Sequence, residues 1–374
     1  MPGIYLHIPF CRRACTYCDF HFSTSTRGRA AVLDAMRIEM DTRAQEVSGA
    51  VGSIYFGGGT PSLLDPARIM DLMLQVRTLF LVNDDAEVTM EANPDDIDPD
   101  RLDAWKAAGI TRISLGTQSF RDDRLAWMGR AHTARQALRS IDLIARAGFH
   151  SWTVDLIYGL PDMSLQEWDE QLTIALDHGM PHLSAYCLTV EARTALAHQV
   201  KKRLVTMPDD AAQAGQFDHL VARMEQAGLI PYEISNFGRE GHIAVHNTNY
   251  WKGVPYIGIG PSAHSFDGSR RRWNVANNAV YLKAVPEGTP YFEEEMLTTA
   301  QRVNERLLTG LRTIWGVDLR TLGDDIRTRE RTTLDKYMDQ GDILLADDRL
   351  VLTLKGRRFA DRIASDLFLL DDDP

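Results

Sequence analysis

The 374-residue sequence predicts an α/β fold: a partial, open (β/α)6 TIM-like barrel followed by a C-terminal helical, winged-helix-like domain. Three observations point there. Short β-rich segments alternate with helix-length segments through the first half, the strand-like segments end in polar or glycine residues, and the pattern changes after about residue 209. Strand, helix and strand repeated in this way imply parallel strands joined by right-handed crossovers. Six units are too few to close an eight-stranded barrel.

The predicted strands are Ile4–Phe10, Ile54–Gly59, Val88–Pro94, Arg112–Phe120, Thr153–Pro161 and Leu183–Glu191. Between them lie helical stretches at Arg29–Glu46, Pro66–Phe80, Asp100–Ala108, Thr133–Ala147 and Ser164–His178. Three of these run into Gly109, Gly148 and Gly179, the residue type that best closes a helix C-terminus. Beyond them come a helix at Asp210–Gln226, a Gly- and Asn-rich region at Gly238–Gly268 and an amphipathic segment near Thr298–Trp315. Two strand-like runs in Ile343–Leu354 turn around Asp347-Asp348-Arg349, and a helix follows from about Lys355 to Leu369. The expected division is residues 1–235 for the barrel with its N-terminal loop, 236–290 for the Gly/Asn-rich segment and 291–374 for the C-terminal domain. Asp371-Asp372-Asp373 reads as a frayed tail.

A net charge of −11 argues against nucleic-acid binding by phosphate neutralisation, and Arg270-Arg271-Arg272 reads as a solvated loop. A winged-helix shape by itself does not imply DNA binding. No stretch approaches the roughly 18 to 20 apolar residues of a membrane span, and Met1–Cys11 lacks the layout of a secretory leader. A cytoplasmic protein is expected.

In α/β barrels chemistry collects at the carboxyl ends of the strands. Here those ends carry the cysteines, Gly57-Gly58-Gly59-Thr60, Glu91, Gln118 and Asp155, which places them around one cavity. Of four cysteines, three fall within eight residues as Cys11-x-x-x-Cys15-x-x-Cys18. Bridges at such spacing would be strained and would leave an odd thiol, so the group reads as metal ligation. Soft thiolates suit iron–sulfur or zinc. A [4Fe–4S] cluster on three thiolates keeps one iron open for a ligand, whereas electron-transfer clusters usually use four. A structural zinc site with His7, Asp19 or His21 as fourth ligand is the alternative. Cys187, in an apolar strand, reads as a small buried hydrophobe.

The run Tyr5-Leu-His7-Ile-Pro-Phe-Cys11-Arg-Arg-Ala-Cys15-Thr-Tyr17-Cys18-Asp-Phe20 resembles the cluster loop of the radical SAM superfamily, in its oxygen-independent coproporphyrinogen III oxidase-like branch. The resemblance implies a barrel of the radical SAM type and a [4Fe–4S] cluster on Cys11, Cys15 and Cys18. Its open iron would bind S-adenosylmethionine, which the superfamily cleaves to a 5′-deoxyadenosyl radical. Tyr55-Phe56-Gly57-Gly58-Gly59-Thr60-Pro61 resembles the branch's glycine-rich loop, where missing side chains let backbone approach a ligand. By position, the resemblance assigns Tyr5, Gly58 and Glu91 to the cluster-bound S-adenosylmethionine. It puts Tyr17, Gly59, Thr60, Gln118, Arg130 and Asp155 around a second S-adenosylmethionine or substrate site.

Two activities coexist in this branch. The oxidases carry Cys-x-Cys where this chain reads Cys18-Asp19-Phe20, so the usual fourth thiol is missing. In addition, His246-Asn247-Thr248-Asn249-Tyr250-Trp251 resembles the His-Asn-x-x-Tyr-Trp motif of the HemW-type haem chaperones. That resemblance implies haem as a bound group, with His246 as an axial ligand, and delivery to haem-requiring client proteins such as membrane respiratory enzymes. It leaves open a homodimer, a peripheral location at the inner face of the membrane, and turnover of S-adenosylmethionine. Read from the residues alone, Tyr250 and Trp251 would pack under the barrel and His246 would be a surface residue or cap a turn. The coproporphyrinogen oxidase and a zinc-stabilised adaptor are the competing functions. Tyr256-Ile-Gly-Ile-Gly-Pro-Ser-Ala-His264 also resembles the branch, without an assigned role.

Overall fold

A computed structural model describes residues 1–322 and 330–370, so the acidic tail at 371–373 lies outside the described residues. The chain opens with β1 (Gly3–Ile8), α1 (Arg29–Arg43), β2 (Val51–Gly58), α2 (Pro66–Leu79), β3 (Val82–Ala92) and α3 (Pro99–Ala107). It continues through β4 (Arg112–Gln118), α4 (Asp122–Met128), α5 (Ala134–Ala147), β5 (Ser151–Tyr158), α6 (Leu165–Asp177) and β6 (His182–Cys187). These six strands lie side by side in sequence order, all parallel. The predicted (β/α)6 barrel is present and open.

Local signals explain the helices. Side chains of Asp65, Asp98, Thr133 and Ser164 accept hydrogen bonds from the first free N–H groups of α2, α3, α5 and α6. Gly109, Gly148 and Gly179 take the left-handed conformation at the helix ends, as expected. Along each strand the side chains alternate. Ile4, Leu6, Ile54, Phe56, Met90, Ile113, Val154 and Leu183 are fully or almost fully buried in the apolar core that includes the helices. The other face, with Tyr5, His7, Ser53, Tyr55, Glu91, Arg112, Thr153, Asp155 and His182, forms a polar lumen.

The structure extends this sheet beyond the prediction. After α7 (Ala195–Lys201) and α8 (Asp210–Gln226) come β7 (Ile230–Pro231), β8 (Asn236–Gly238), α9 (Val245–Trp251) and β9 (Tyr256–Ile259). Then follow β10 (His264–Phe266), β11 (Arg270–Asn274), α10 (Asn278–Glu287) and β12 (Phe292–Met296). β8 joins β6 antiparallel, while β9 lies parallel to β1 and leads outward through β10 and β11 to β12, giving twelve strands. The arginine triplet is therefore strand and not a solvated loop. Arg271 and Arg272 face Glu295 and Glu294 across the β11–β12 pair, and the Arg272 guanidinium lies 3.4 Å from the Phe292 ring centre. Opposite-charge cross-strand pairs supply what a run of like charges lacks alone.

The C-terminal domain has its own core around Val303, Leu307, Leu311, Leu350 and Ile363. Helix α11 (Thr299–Leu311) starts at a Thr298/Gln301 capping box, and β13 (Val317–Asp318), β15 (Arg349–Leu352) and β14 (Ile343–Ala346) form a small sheet in that order. Asp347 and Asp348 both have positive φ, as a tight hairpin turn requires. The single predicted helix at 355–369 is two short ones, Leu354–Arg357 and Ala360–Asp366. Helix, hairpin and helix match the winged-helix-like expectation.

Candidate functional site

The carboxyl ends of the parallel strands open into a cavity of about 630 Å³. Cys11, Cys15, Cys18, Tyr17, Gly58, Gly59, Thr60, Glu91, Gln118, Arg130 and Asp155 all line it. The loop carrying the thiols is tied down along its length. Cys11 N–H donates to Ser23 O, Ser23 N–H to Pro9 O, and Thr16 N–H to Met128 O, at 2.9–3.0 Å. Arg12 pairs with Asp95 at 3.0 Å and with buried Asp96.

Two donors are aimed at sulfur: Thr60 Oγ1 at Cys11 Sγ and Arg130 Nη1 at Cys15 Sγ, both at 3.5 Å. Arg130 is held by Asn93 Oδ1 (2.6 Å) and Gly116 O (2.7 Å), and Asn93 Nδ2 in turn donates to Thr60 Oγ1 at 3.2 Å. Asn93 thus joins both donors. Burial raises the Cys11 thiol and pushes Cys18 up to about 11, so ligation has to displace their protons. Among the described residues no three Cys, His, Asp or Glu side chains lie close enough to hold one metal ion. The thiols ring a space, not a point. His7 bonds His21 O and Tyr5 OH, and His21 bonds Asn278, so both histidines considered as a fourth zinc ligand are engaged elsewhere.

The two carboxylates sit deeper. Burial raises Glu91 to about 7 against hydrogen bonds from Tyr55 OH and the Gly58 backbone. Burial and then the Glu91 charge raise Asp155 to about 7, against hydrogen bonds from Ser114 and Ser184. A carboxyl poised near neutrality can accept or hold a proton as its surroundings change. Tyr5 lies beneath the cavity, stacked on Tyr55 at 6.0 Å, and is not part of the lining.

The glycines have a different origin from the one expected. A Cβ at Gly58 would stand 2.6 Å from the His7 imidazole, and one at Gly59 would stand 2.7 Å from Ile8 O, Phe10 N and Phe10 O. What approaches this loop is the chain's own first strand. Gln118 has φ 64°, a left-handed conformation uncommon for a side-chain-bearing residue, and this turn sets it on the cavity wall.

Asn93, Ser114 and Tyr55 escaped the sequence reading, although alternation along β2 puts Tyr55 on the Gly57 face. Cys187 also departs from expectation. It is half-buried at the end of β6 and lines the same cavity, where burial pushes its thiol up to about 11.

His246 lies elsewhere. Its Nδ1 bonds Ser53 Oγ at 2.9 Å, and its ring stacks on Tyr55 at 5.1 Å. Ser53 starts the lumen face of β2, so this is the amino end of the barrel. Backbone N–H groups of Val245 and His246 donate to Glu87 there. Tyr250 and Trp251 face a second cavity whose lining does not include His246. The motif is one short helix serving two places.

Residues 5–173 match the radical SAM superfamily and residues 297–359 match the HemN C-terminal domain. Heme chaperone HemW of Mycobacterium tuberculosis (strain H37Rv) is 36% identical over 98% of this chain and 94% of its own length. The chain belongs to the HemW family. Other members are the heme chaperone HemW of Bacillus subtilis, 34% identical over 85% of each chain, and that of Escherichia coli, 38% identical over 70% of this chain and 69% of its own. In fold the chain is similar to the radical SAM enzyme coproporphyrinogen III oxidase HemN of Escherichia coli. The TM-score is 0.84 at 24% identity, over 98% of this chain and 90% of that one. No helix among the described residues is long and apolar enough to cross a membrane.

Proposed function

We propose that this HemW family member is a haem chaperone that carries a [4Fe–4S] cluster with S-adenosylmethionine and passes haem to client proteins, respiratory enzymes among them. The observation that carries the cluster part is the convergence of three thiols on one polar cavity with two donors aimed at sulfur. The family relation carries the haem part. The residues suit the group: Cys11, Cys15 and Cys18 would hold it, and Thr60 and Arg130 would stabilise thiolate charge. When bound, a cluster with an open iron supplies one electron to S-adenosylmethionine.

The chain's own residues prepare the neighbouring space. Glu91, held by Tyr55, can accept a hydrogen bond from an ammonium group. Asp155, held by Ser114, can accept from ribose hydroxyls. Gln118 and the backbone of Gly58 and Gly59 complete the wall for adenosine or for a second such molecule, with Tyr17 and Arg130 beside them. Tyr5 acts from beneath, through Tyr55.

Anaerobic reconstitution with iron and sulfide tests the cluster. Near four irons per chain, lost in Cys15→Ala, is expected, and uptake of a single zinc would refute it. Haem titration of the same protein should give a saturable spectral change. Steady decarboxylation of coproporphyrinogen III by the reduced protein with S-adenosylmethionine would overturn the chaperone reading in favour of an oxidase.

A further inference from the structure

The second cavity, of about 910 Å³, lies between β9–β11 and helix α11 of the C-terminal domain. Its volume is in the range of about 300–1,000 Å³ typical of sites for compact organic ligands. One side is aromatic: Tyr250, Trp251, Tyr256 and Trp273 line it. Tyr250 packs edge-on against Trp251 at 5.1 Å, and Tyr256 is 6.0 Å from Tyr250. The other side is cationic. Arg302 and Arg306, one turn apart on α11, face the cavity while Val303 and Leu307 of the same helix are buried in the domain core.

The charges are not all spoken for. Arg271 is matched by Glu295 and Glu305, and Arg349 lies near Asp318. Arg302 bonds only Thr299 Oγ1, at 3.2 Å, and Arg306 only Thr321 O, at 2.6 Å, and neither has a carboxylate partner among the described residues. The cavity therefore offers two guanidinium groups that have no carboxylate partner among the described residues, and aromatic side chains share the lining with them. That pattern fits a planar ligand bearing carboxylates.

His264 also lines this cavity, on the aromatic side. Its imidazole stacks on Trp273 at 6.4 Å and 27°, and its ring nitrogens have no hydrogen-bond partner among the described residues. The backbone holding it is fixed: a Cβ at Gly258 would meet His264 O at 2.0 Å, and Ser265 Oγ accepts from Gly258 N–H and from Arg43. Burial, with the Arg271 charge, lowers its pKa and favours the neutral, ligating form. His246, by contrast, is committed to Ser53 and Tyr55 inside the barrel.

We infer that this interdomain cavity is the haem site, with His264 as axial ligand and Arg302 and Arg306 on the two propionates. The inference rests on the haem-chaperone reading above, and moves the ligand from His246 to His264. Tyr250 and Trp251 keep a role as the wall beside the macrocycle.

The test titrates the full, cluster-loaded protein with hemin and separately with metal-free protoporphyrin IX, reading the Soret band. His264→Ala should weaken hemin binding roughly tenfold or more, change the band and recover with free imidazole, while leaving protoporphyrin IX binding unaltered. The unaltered porphyrin affinity shows that the variant is folded. Arg302→Ala/Arg306→Ala should weaken both ligands, and His246→Ala should leave both as in the parent. Loss of hemin binding in His246→Ala with His264→Ala unaffected would overturn the assignment, as would no effect of the arginine pair. Failure of the parent protein to bind hemin at all would instead refute the haem-chaperone reading itself.

Discussion

Gly59→Ala puts the coupling between the glycine loop and the cysteine loop to a direct test. Three backbone atoms, Ile8 O, Phe10 N and Phe10 O, stand 2.7 Å from where the new methyl would sit, and none belongs to a flexible side chain. Overpacking of this kind costs about 1–3 kcal/mol. The relief is separation of the strands, which breaks Gly59 N–H to Ile8 O (2.9 Å) and Thr60 N–H to Phe10 O (2.8 Å), at about 1 kcal/mol each. Reduced freedom of the unfolded chain returns about 0.4–1 kcal/mol. The net loss is about 2–5 kcal/mol. The control is Gly215→Ala in α8, where nothing lies within 4 Å of the added Cβ. It should stabilise by about 0.5–1 kcal/mol. Urea unfolding of the metal-free proteins reads both, and iron content after anaerobic reconstitution reads whether Thr60 and Cys11 have parted. An unshifted midpoint with full iron in Gly59→Ala would refute the reasoning.

Three further outcomes are expected. Asp155 holds its proton in the native state up to about pH 7, whereas the unfolded chain releases it near 3.8, so its contribution to stability falls as pH rises through that window. Asp155→Asn should therefore gain on the wild type from pH 4 to 7 in unfolding free energy, and a constant difference would contradict the raised pKa. Arg130→Lys cannot reproduce the fork to Asn93, Gly116 and Cys15 and leaves acceptors unpaired, at about 1–3 kcal/mol each. Its midpoint and its iron retention should both drop, and parity in both would sink the positioning role. Cys187→Ala should keep full iron after reconstitution, because the three-thiol loop does not depend on β6, while loss of iron would make Cys187 a ligand.

The barrel was legible because its signals are local and repeated: six short β-rich segments ending in polar or glycine residues, helix-length stretches between them, and glycines at helix ends. Pairings between distant segments were not. Nothing near residue 256 announces that β9 will lie against β1, and Arg270–Arg272 sits in a strand whose partner, Glu294–Met296, sets two carboxylates opposite Arg271 and Arg272. The same limit governs the site. Strand-end position brought out Glu91, Gln118 and Asp155, but Asn93 earns its place by contacting Thr60 and Arg130, which a linear reading cannot see. His246 and Tyr250 are near in sequence, but α9 turns the first onto Ser53 and Tyr55 inside the barrel and the second toward the larger cavity.

The register of β1 has a consequence for how the protein is made. Gly3 to Leu6 hydrogen-bond on one edge to β2 and on the other to Tyr256–Ile259. During synthesis the first edge can be satisfied early, but the second stays open until residue 259 has left the ribosome. Long-range pairings of this kind are slow and expose unpaired backbone meanwhile. The strand that delivers Cys11 is thus translated long before its second edge can be clamped. On the proposed function, iron and sulfide offered to a nascent chain that ends short of residue 259 would meet a loop whose strand is clamped on one edge only.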